Sequence, residues 1–271
     1  MLVDLGGGCL EVKTKKLKTK RCEMLVVYLI VDVRDAMGAN AVNTMCEAVA
    51  KYLEGKTVGR SCLRIISNYN TERTVKATGV FSKEALGGLD VVEGILDAQE
   101  LALNDVYRAV THNKGVMNGI DAVTVATGND FRAVEAGVHS YAARSGRYMP
   151  LTTYSKDKNG NLVGSIEIPL TVGIIGGATK SNPATKTALE ILGVKTAREL
   201  GEVMAAVGLA QNLAALKALV TEGIQRGHMR LHARNIAITA GARGKQIDEI
   251  AKQMIEERNI RVDRAKELLE E

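Results

Sequence analysis

Residues 107–128 read YRAVTHNKGVMNGIDAVTVATG, and the fold turns on how this stretch is read. At ~100° per residue, Val106, Ala109, Val110, Val116, Met117, Ile120 and Val123 share a broad apolar arc. Arg108, Thr111, Lys114, Asn118 and Asp121 fall on the other arc, which predicts an amphipathic helix. Gly115 and Gly119 lie on the polar arc, and each costs about 1 kcal/mol relative to alanine in a helix interior. Glycines so placed predict close approach to the backbone. The expectation is a bare groove flanked by a guanidinium, an ammonium and an amide, suited to a small anionic or carbonyl-bearing ligand. A solvated polar face is the alternative.

The 271 residues suffice for one large domain or two modest ones. Aromatics are 3% of the chain and Trp is absent, so the core must be aliphatic and base-stacking platforms for single-stranded nucleic acid are not expected. The net charge of +5 is concentrated at Lys13, Lys15, Lys16, Lys18, Lys20 and Arg21, as in a solvated edge strand guarded by lysines. A nucleic-acid patch is the alternative there. Cys9, Cys22, Cys46 and Cys62 lack metal-ligand spacing, so reduced thiols in a cytoplasm are expected and no metal. There is no signal-peptide pattern and no apolar run that reads as a membrane span.

Three segments follow. Residues 1–70 read as a small α/β piece, with strands at Leu10–Thr19, Met24–Val33 and Cys62–Ser67 and a helix at Asn40–Leu53. So small a unit cannot bury its own core. Residues 71–224 read as the main body, with a strand at Arg73–Phe81 and helices at Leu89–Leu103 and Asp130–Ala143. A hairpin turning at Asp157–Gly160 comes next, then a helix opened by Asn182-Pro183, then a helical pair at Thr196–Val207 and Leu209–Glu222. Residues 225–271 read as a small helical unit hinged at Gly241–Gly244 and able to move as a lid.

Four further motifs bear on chemistry. DAMGAN, Asp35–Asn40, joins a strong strand to a helix whose free N–H groups suit a pyrophosphate, although it is not a G-x-G-x-x-G fingerprint. An ordinary βα turn would look the same. In VGIIGGAT, Val172–Thr179, a strand ends in Gly176-Gly177, for backbone approach to a cofactor or for a turn at positive φ. In GND, Asp130 is either a helix cap or a carboxylate that tunes Lys114. In QRGHMRLHARN, His228 fits a proton donor near neutral pH better than a metal ligand. A surface histidine is the plainer reading. His112 and His139 receive no role.

Together DAMGAN, HNKGVMNGID, ATGND, VGIIGGAT and GIQRGHM, in this order, resemble hydroxymethylglutaryl-coenzyme A (HMG-CoA) reductase of the shorter class II type of bacteria and archaea. The resemblance implies an α+β fold: a large α/β domain around a central helix (71–224), part of a ferredoxin-like cofactor domain (1–70) and a C-terminal flap (225–271). It implies reduction of the HMG-CoA thioester to mevalonate and coenzyme A with two NADH or NADPH, in homodimers with shared active sites. Lys114 is then the oxyanion-stabilising lysine, Asp130 the aspartate of its proton network and His228 the flap acid for the departing thiolate. Arg108 and Asn118 match substrate-binding positions, and Asp35, Met37, Gly38, Asn40 and Asn68 match the cofactor side. The family's catalytic glutamate belongs to an N-terminal stretch not present in these residues. The expectation is therefore a reductase whose chemistry needs that part, or alternatively a non-catalytic dimerisation partner or relic of the fold.

Overall fold

The computed structural model describes residues 2–221 and 223–270, without the side chains of residues 178, 180, 224–228 and 230. After a 3-10 turn, Val3–Leu5, come β1 (Gly8–Lys18), β2 (Glu23–Asp32), α1 (Ala39–Glu54), β3 (Thr74–Phe81), α2 (Lys83–Leu86) and α3 (Leu89–Asn104). Then follow α4 (Val106–Ala126), α5 (Phe131–Ala142), β4 (Thr152–Lys156), β5 (Leu162–Pro169), α6 (Ala178–Ser181) and α7 (Pro183–Leu192). The chain ends in α8 (Ala197–Val220), α9 (Ile224–Ala240), α10 (Gln246–Glu256) and α11 (Val262–Glu270). β1 and β2 form an antiparallel ribbon, and a second sheet has the order β3-β5-β4. This is the expected α+β class.

Local chemistry sets the helix starts. Asp105 opens α4 by accepting from the Arg108 N–H at 2.9 Å. Asp130 opens α5, and Asn182 opens α7 with Pro183 at its first position. Lys13, Lys15, Lys16 and Lys18 of the basic run lie on β1, an edge strand, with Lys20 and Arg21 in the turn that follows; Lys16 pairs with Glu23 across the ribbon at 2.8 Å and Lys13 with Glu11 of its own strand at 3.1 Å.

Some expectations are corrected. Residues 62–67 form no strand, because their backbone is held by side chains instead of a sheet: the Ile66 N–H donates to Asn43 Oδ1 of α1 at 2.8 Å. The stretch 172–177 is irregular, with one bridge from Ile175 to Ala36. The pair expected at 196–222 is one helix, α8, and its expected end, Glu222, lies outside the described residues. Gly208 does not break α8, because a Cβ there would stand 2.9 Å from Ile120 and 3.3 Å from Val116. The glycine lets α8 approach α4, and the packing gained outweighs about 1 kcal/mol of helix propensity. As one helix, α8 is also long and apolar enough to cross a membrane, against the sequence reading. Its buried residues Leu200, Met204, Ala205, Leu209 and Leu216 make it a core helix of this chain.

The chain divides into two units. One gathers the chain up to Val80 with Gln99–Ser155 and Val163–Asn212. Its interior is built from Val116, Met117 and Ile120 of α4, Val138 of α5, Ile166 of β5 and Met204 of α8. The other gathers Phe81–Ala98, Lys156–Leu162 and the chain from Leu213 on. Within it, α9, α10 and α11 close around Ala233, Ala237, Ile250, Ala251, Met254 and Ala265.

Candidate functional site

The inner face of α4 is closed. Gly115 and Gly119 are buried, and a Cβ on Gly119 would lie 3.0 Å from the Val207 carbonyl and from Gln211 Cβ. At Gly119 the bare groove expected from the sequence is a helix–helix contact instead. The outer stripe carries Lys114 and Asn118, both exposed, among apolar residues that are exposed as well: Tyr107 at 85%, Val110 at 50% and Val125 at 61%. Val110, placed on the buried arc by periodicity, therefore belongs to the open face. Among the described residues, the Lys114 side chain has no hydrogen bond or ion pair. Arg108 is half-buried, and burial pulls its guanidinium below its ordinary value, with no carboxylate in ion-pair contact among the described residues.

Asp130 caps α5, accepting from the N–H groups of Arg132 at 3.0 Å and Ala133 at 3.4 Å. It also pairs with the Arg132 guanidinium at 3.1 Å, and that contact leads in holding its carboxyl below the usual range. No ion pair joins Asp130 to Lys114 within the chain. From Lys114 to the end of α4 is ~18 Å of helix, and α5 starts just beyond. An open depression lies at this corner, lined by Gly128, Asn129, Asp130, Phe131 and Arg132.

Three of the sequence motifs meet at Gly173. The Asn129 side chain pairs with it as a strand would, accepting from its N–H at 2.8 Å and donating to its carbonyl at 3.1 Å. On the other side of Gly173 lies the DAMGAN turn, with Met37 N 2.4 Å and Ala36 C 2.8 Å from where a Cβ would be. The Asp35 carbonyl accepts from Ile174 N–H at 2.9 Å. Its carboxylate turns away to cap α8 through Ala197 N–H at 2.8 Å.

The other expected cofactor residues are spread along this turn and beyond it. Gly38 adopts φ +103° over Val33 and starts α1 without a side-chain cap. Asn40 is exposed on the first turn of α1. Asn68 is exposed, and its carbonyl sits 2.7 Å from a Cβ on Gly137 of α5. The His228 side chain lies outside the described residues, although its backbone belongs to α9.

The family model for hydroxymethylglutaryl-coenzyme A reductase matches residues 3–233. This chain belongs to that family. It is 60% identical over 270 residues to the 3-hydroxy-3-methylglutaryl-coenzyme A reductase of Archaeoglobus fulgidus, covering 100% of this chain and 62% of the relative. A probable reductase of Borreliella burgdorferi is 41% identical over 236 residues, 85% of this chain and 54% of that one. Among solved structures, the class II reductase of Streptococcus pneumoniae bound to NADPH in open conformations superposes with a TM-score of 0.78 at 41% identity, over 99% of this chain and 66% of that one. The chain thus spans roughly three fifths of the length of these reductases.

Sequence reasoning passed over several polar residues of this reductase fold. His112 is buried on α4, where Thr152 donates to Asn212 Oδ1 at 2.9 Å and so accepts from His112 Nε2–H at 2.6 Å. Burial pushes His112 down to about 4, so it is neutral at pH 7, and its Nδ1 has no partner among the described residues. The signal was a histidine at helical spacing from Ala109, Val116 and Ile120. Asn113 holds the loop beside it, donating to the Met149 carbonyl at 2.9 Å and accepting from Leu151 N–H at 2.9 Å. These bonds fix the part of α4 that carries Lys114.

A second network runs along α5. Asp121 lies against Glu135, Glu135 contacts His139 Nε2 at 2.6 Å, and His139 Nδ1 contacts Tyr148 OH at 2.7 Å. Burial, then the hydrogen bond and charge of Glu135, push the Asp121 carboxyl up to about 7, against a small pull from His139. The unfolded carboxyl titrates near ~3.9, so between these values the folded chain binds the extra proton. The stabilisation this gives is fully present below pH ~4 and is lost as pH rises towards 7. Asp121→Asn removes that loss. Melting temperatures at pH 5 and pH 8 should fall less in the variant than in the unaltered chain, and equal falls would contradict the assignment.

Proposed function

We propose that this chain carries the reductase activity of its family, in which two NADH or NADPH each deliver one hydride in turn, taking the HMG-CoA thioester to mevalonate with release of coenzyme A. The observation that carries the reading is the meeting of DAMGAN, GND and Gly173 in one joint at the end of the helix that bears Lys114, a lysine without a partner among the described residues. When bound, the dinucleotide supplies the hydride. Its phosphates suit the start of α1, where no side chain competes for the first N–H groups.

Lys114 stabilises the oxyanion formed as hydride reaches the carbonyl carbon, because a fixed ammonium opposes charge that appears only in the transition state. Arg108, without a carboxylate partner among the described residues, holds a substrate carboxylate through its fork, and Asn118 holds the hydroxyl. His228 protonates the leaving thiolate. An acid near neutrality suits a thiolate whose conjugate acid titrates near ~8.5. Asp130 completes the proton network with a lysine from a second copy, since the two groups are not paired within one chain. The exposed apolar residues around Lys114 support a homodimer with shared sites. Residues 1–70, 71–224 and 225–271 serve as cofactor, substrate and flap regions of a cytoplasmic enzyme without membrane or nucleic-acid partners.

The test follows NAD(P)H oxidation and coenzyme A release with HMG-CoA and, separately, with the free aldehyde intermediate. His228→Gln is expected to slow the thioester reaction about 100-fold and the aldehyde reaction far less, because only the first expels a thiolate. Equal losses on both substrates contradict the role of His228. A dimerisation partner of the reductase fold without turnover is the alternative reading. Tight cofactor binding with no oxidation of either substrate would support that instead.

A further inference from the structure

The DAMGAN turn is held by a residue that no motif includes. Arg73 lies just before β3, its carbonyl accepting from Leu170 N–H at 3.1 Å. Its guanidinium donates to three backbone carbonyls: Val172 at 2.8 Å, Ala36 at 3.1 Å and Arg34 at 3.2 Å. Among the described residues it makes no ion pair, and Asp32 and Asp35 act on it only at longer range. A half-buried cation whose fork is spent on carbonyls of two separate segments works as a clamp.

The clamped turn needs such support. Arg34 is one of two described non-glycine residues at positive φ, at +53°, and Gly38 stands at +103°. Strained conformations of this kind persist where the surroundings over-determine them. With the carbonyls of Arg34 and Ala36 bound by Arg73, and that of Asp35 by Ile174, the turn has one arrangement at the start of α1.

We propose that Arg73 is a positioning residue for the cofactor side of the site, fixing residues 33–38 against Val172–Ile175 so that the start of α1 is presented to the dinucleotide; this rests on the reductase reading above. Lysine would keep the charge and lose the planar fork, so Arg73→Lys separates geometry from charge, and Arg73→Gln removes both.

The experiment uses the full chain with two readouts. Amide exchange at Ile174 and Ile175, which donate to Asp35, should quicken about 10-fold in both variants, with α4 amides unchanged. The KM for NADH or NADPH should rise about 10-fold, with kcat and the HMG-CoA KM within about twofold. Unchanged exchange at Ile174 and Ile175 overturns the clamp. Equal quickening in α4, or a joint rise of both KM values, overturns positioning in favour of a general structural role. If the unaltered chain oxidises no cofactor, the reductase reading fails, and exchange at Ile174 and Ile175 still decides the clamp.

Discussion

Lys114→Ala should lower kcat for NAD(P)H oxidation by about 100- to 1,000-fold while leaving the melting temperature nearly unchanged. The size follows from removing one preorganised partner of a developing oxyanion. The intact fold follows from the position, since the side chain is exposed and has no hydrogen bond or ion pair among the described residues. Alanine is also the best helix former, so α4 loses nothing locally. His112 and Asn113 keep that part of the helix anchored in the variant. The measurement is kcat and kcat/KM beside a thermal melt. Turnover at the unaltered rate would remove Lys114 from the chemistry, and a large fall in melting temperature would show a structural role instead.

Gly173→Ala should have the largest effect on the scaffold. A Cβ would stand 2.4 Å from Met37 N, 2.8 Å from Ala36 C and 3.0 Å from Asp35 O. All three atoms are backbone, so no side chain can rotate away. Either the DAMGAN turn moves or Gly173 leaves the Asn129 side chain, and both routes break the joint. The cost should reach about 3 kcal/mol, the upper part of the usual range for overpacking. Denaturant unfolding reads the loss, and cofactor binding should weaken with it. A variant with unchanged midpoint and unchanged affinity for NADPH would show that the joint is not tight in solution.

Much of the fold could be read from local patterns. Asp105, Asp130 and Asn182 announce helix starts because capping is settled within three residues of chain. The strand at β2 and the turn at Gly38 follow from β-branched residues and one glycine. Where periodicity failed, a non-local term decided. Gly119 and Gly208 look like weak points of helices, yet each lets α4 and α8 approach one another. Val110 looks like a core residue but lies in the open. Residues 62–67 have strand composition and no strand partner.

The candidate site divides in the same way. Sequence alone determined the family, through five short motifs in fixed order, and with it the residues on which chemistry is proposed to rest. It determined the helix caps and the turn, because those depend on neighbours a few residues apart. Only the tertiary structure decided that Gly173 would be the meeting point of Asn129 and Met37, and that Arg73 would clamp carbonyls 37, 39 and 99 residues away. A guanidinium has the same sequence signature on a surface and in a clamp. The difference lies in which carbonyls the folded chain brings within 3.2 Å of it, and that is set by packing across the whole unit.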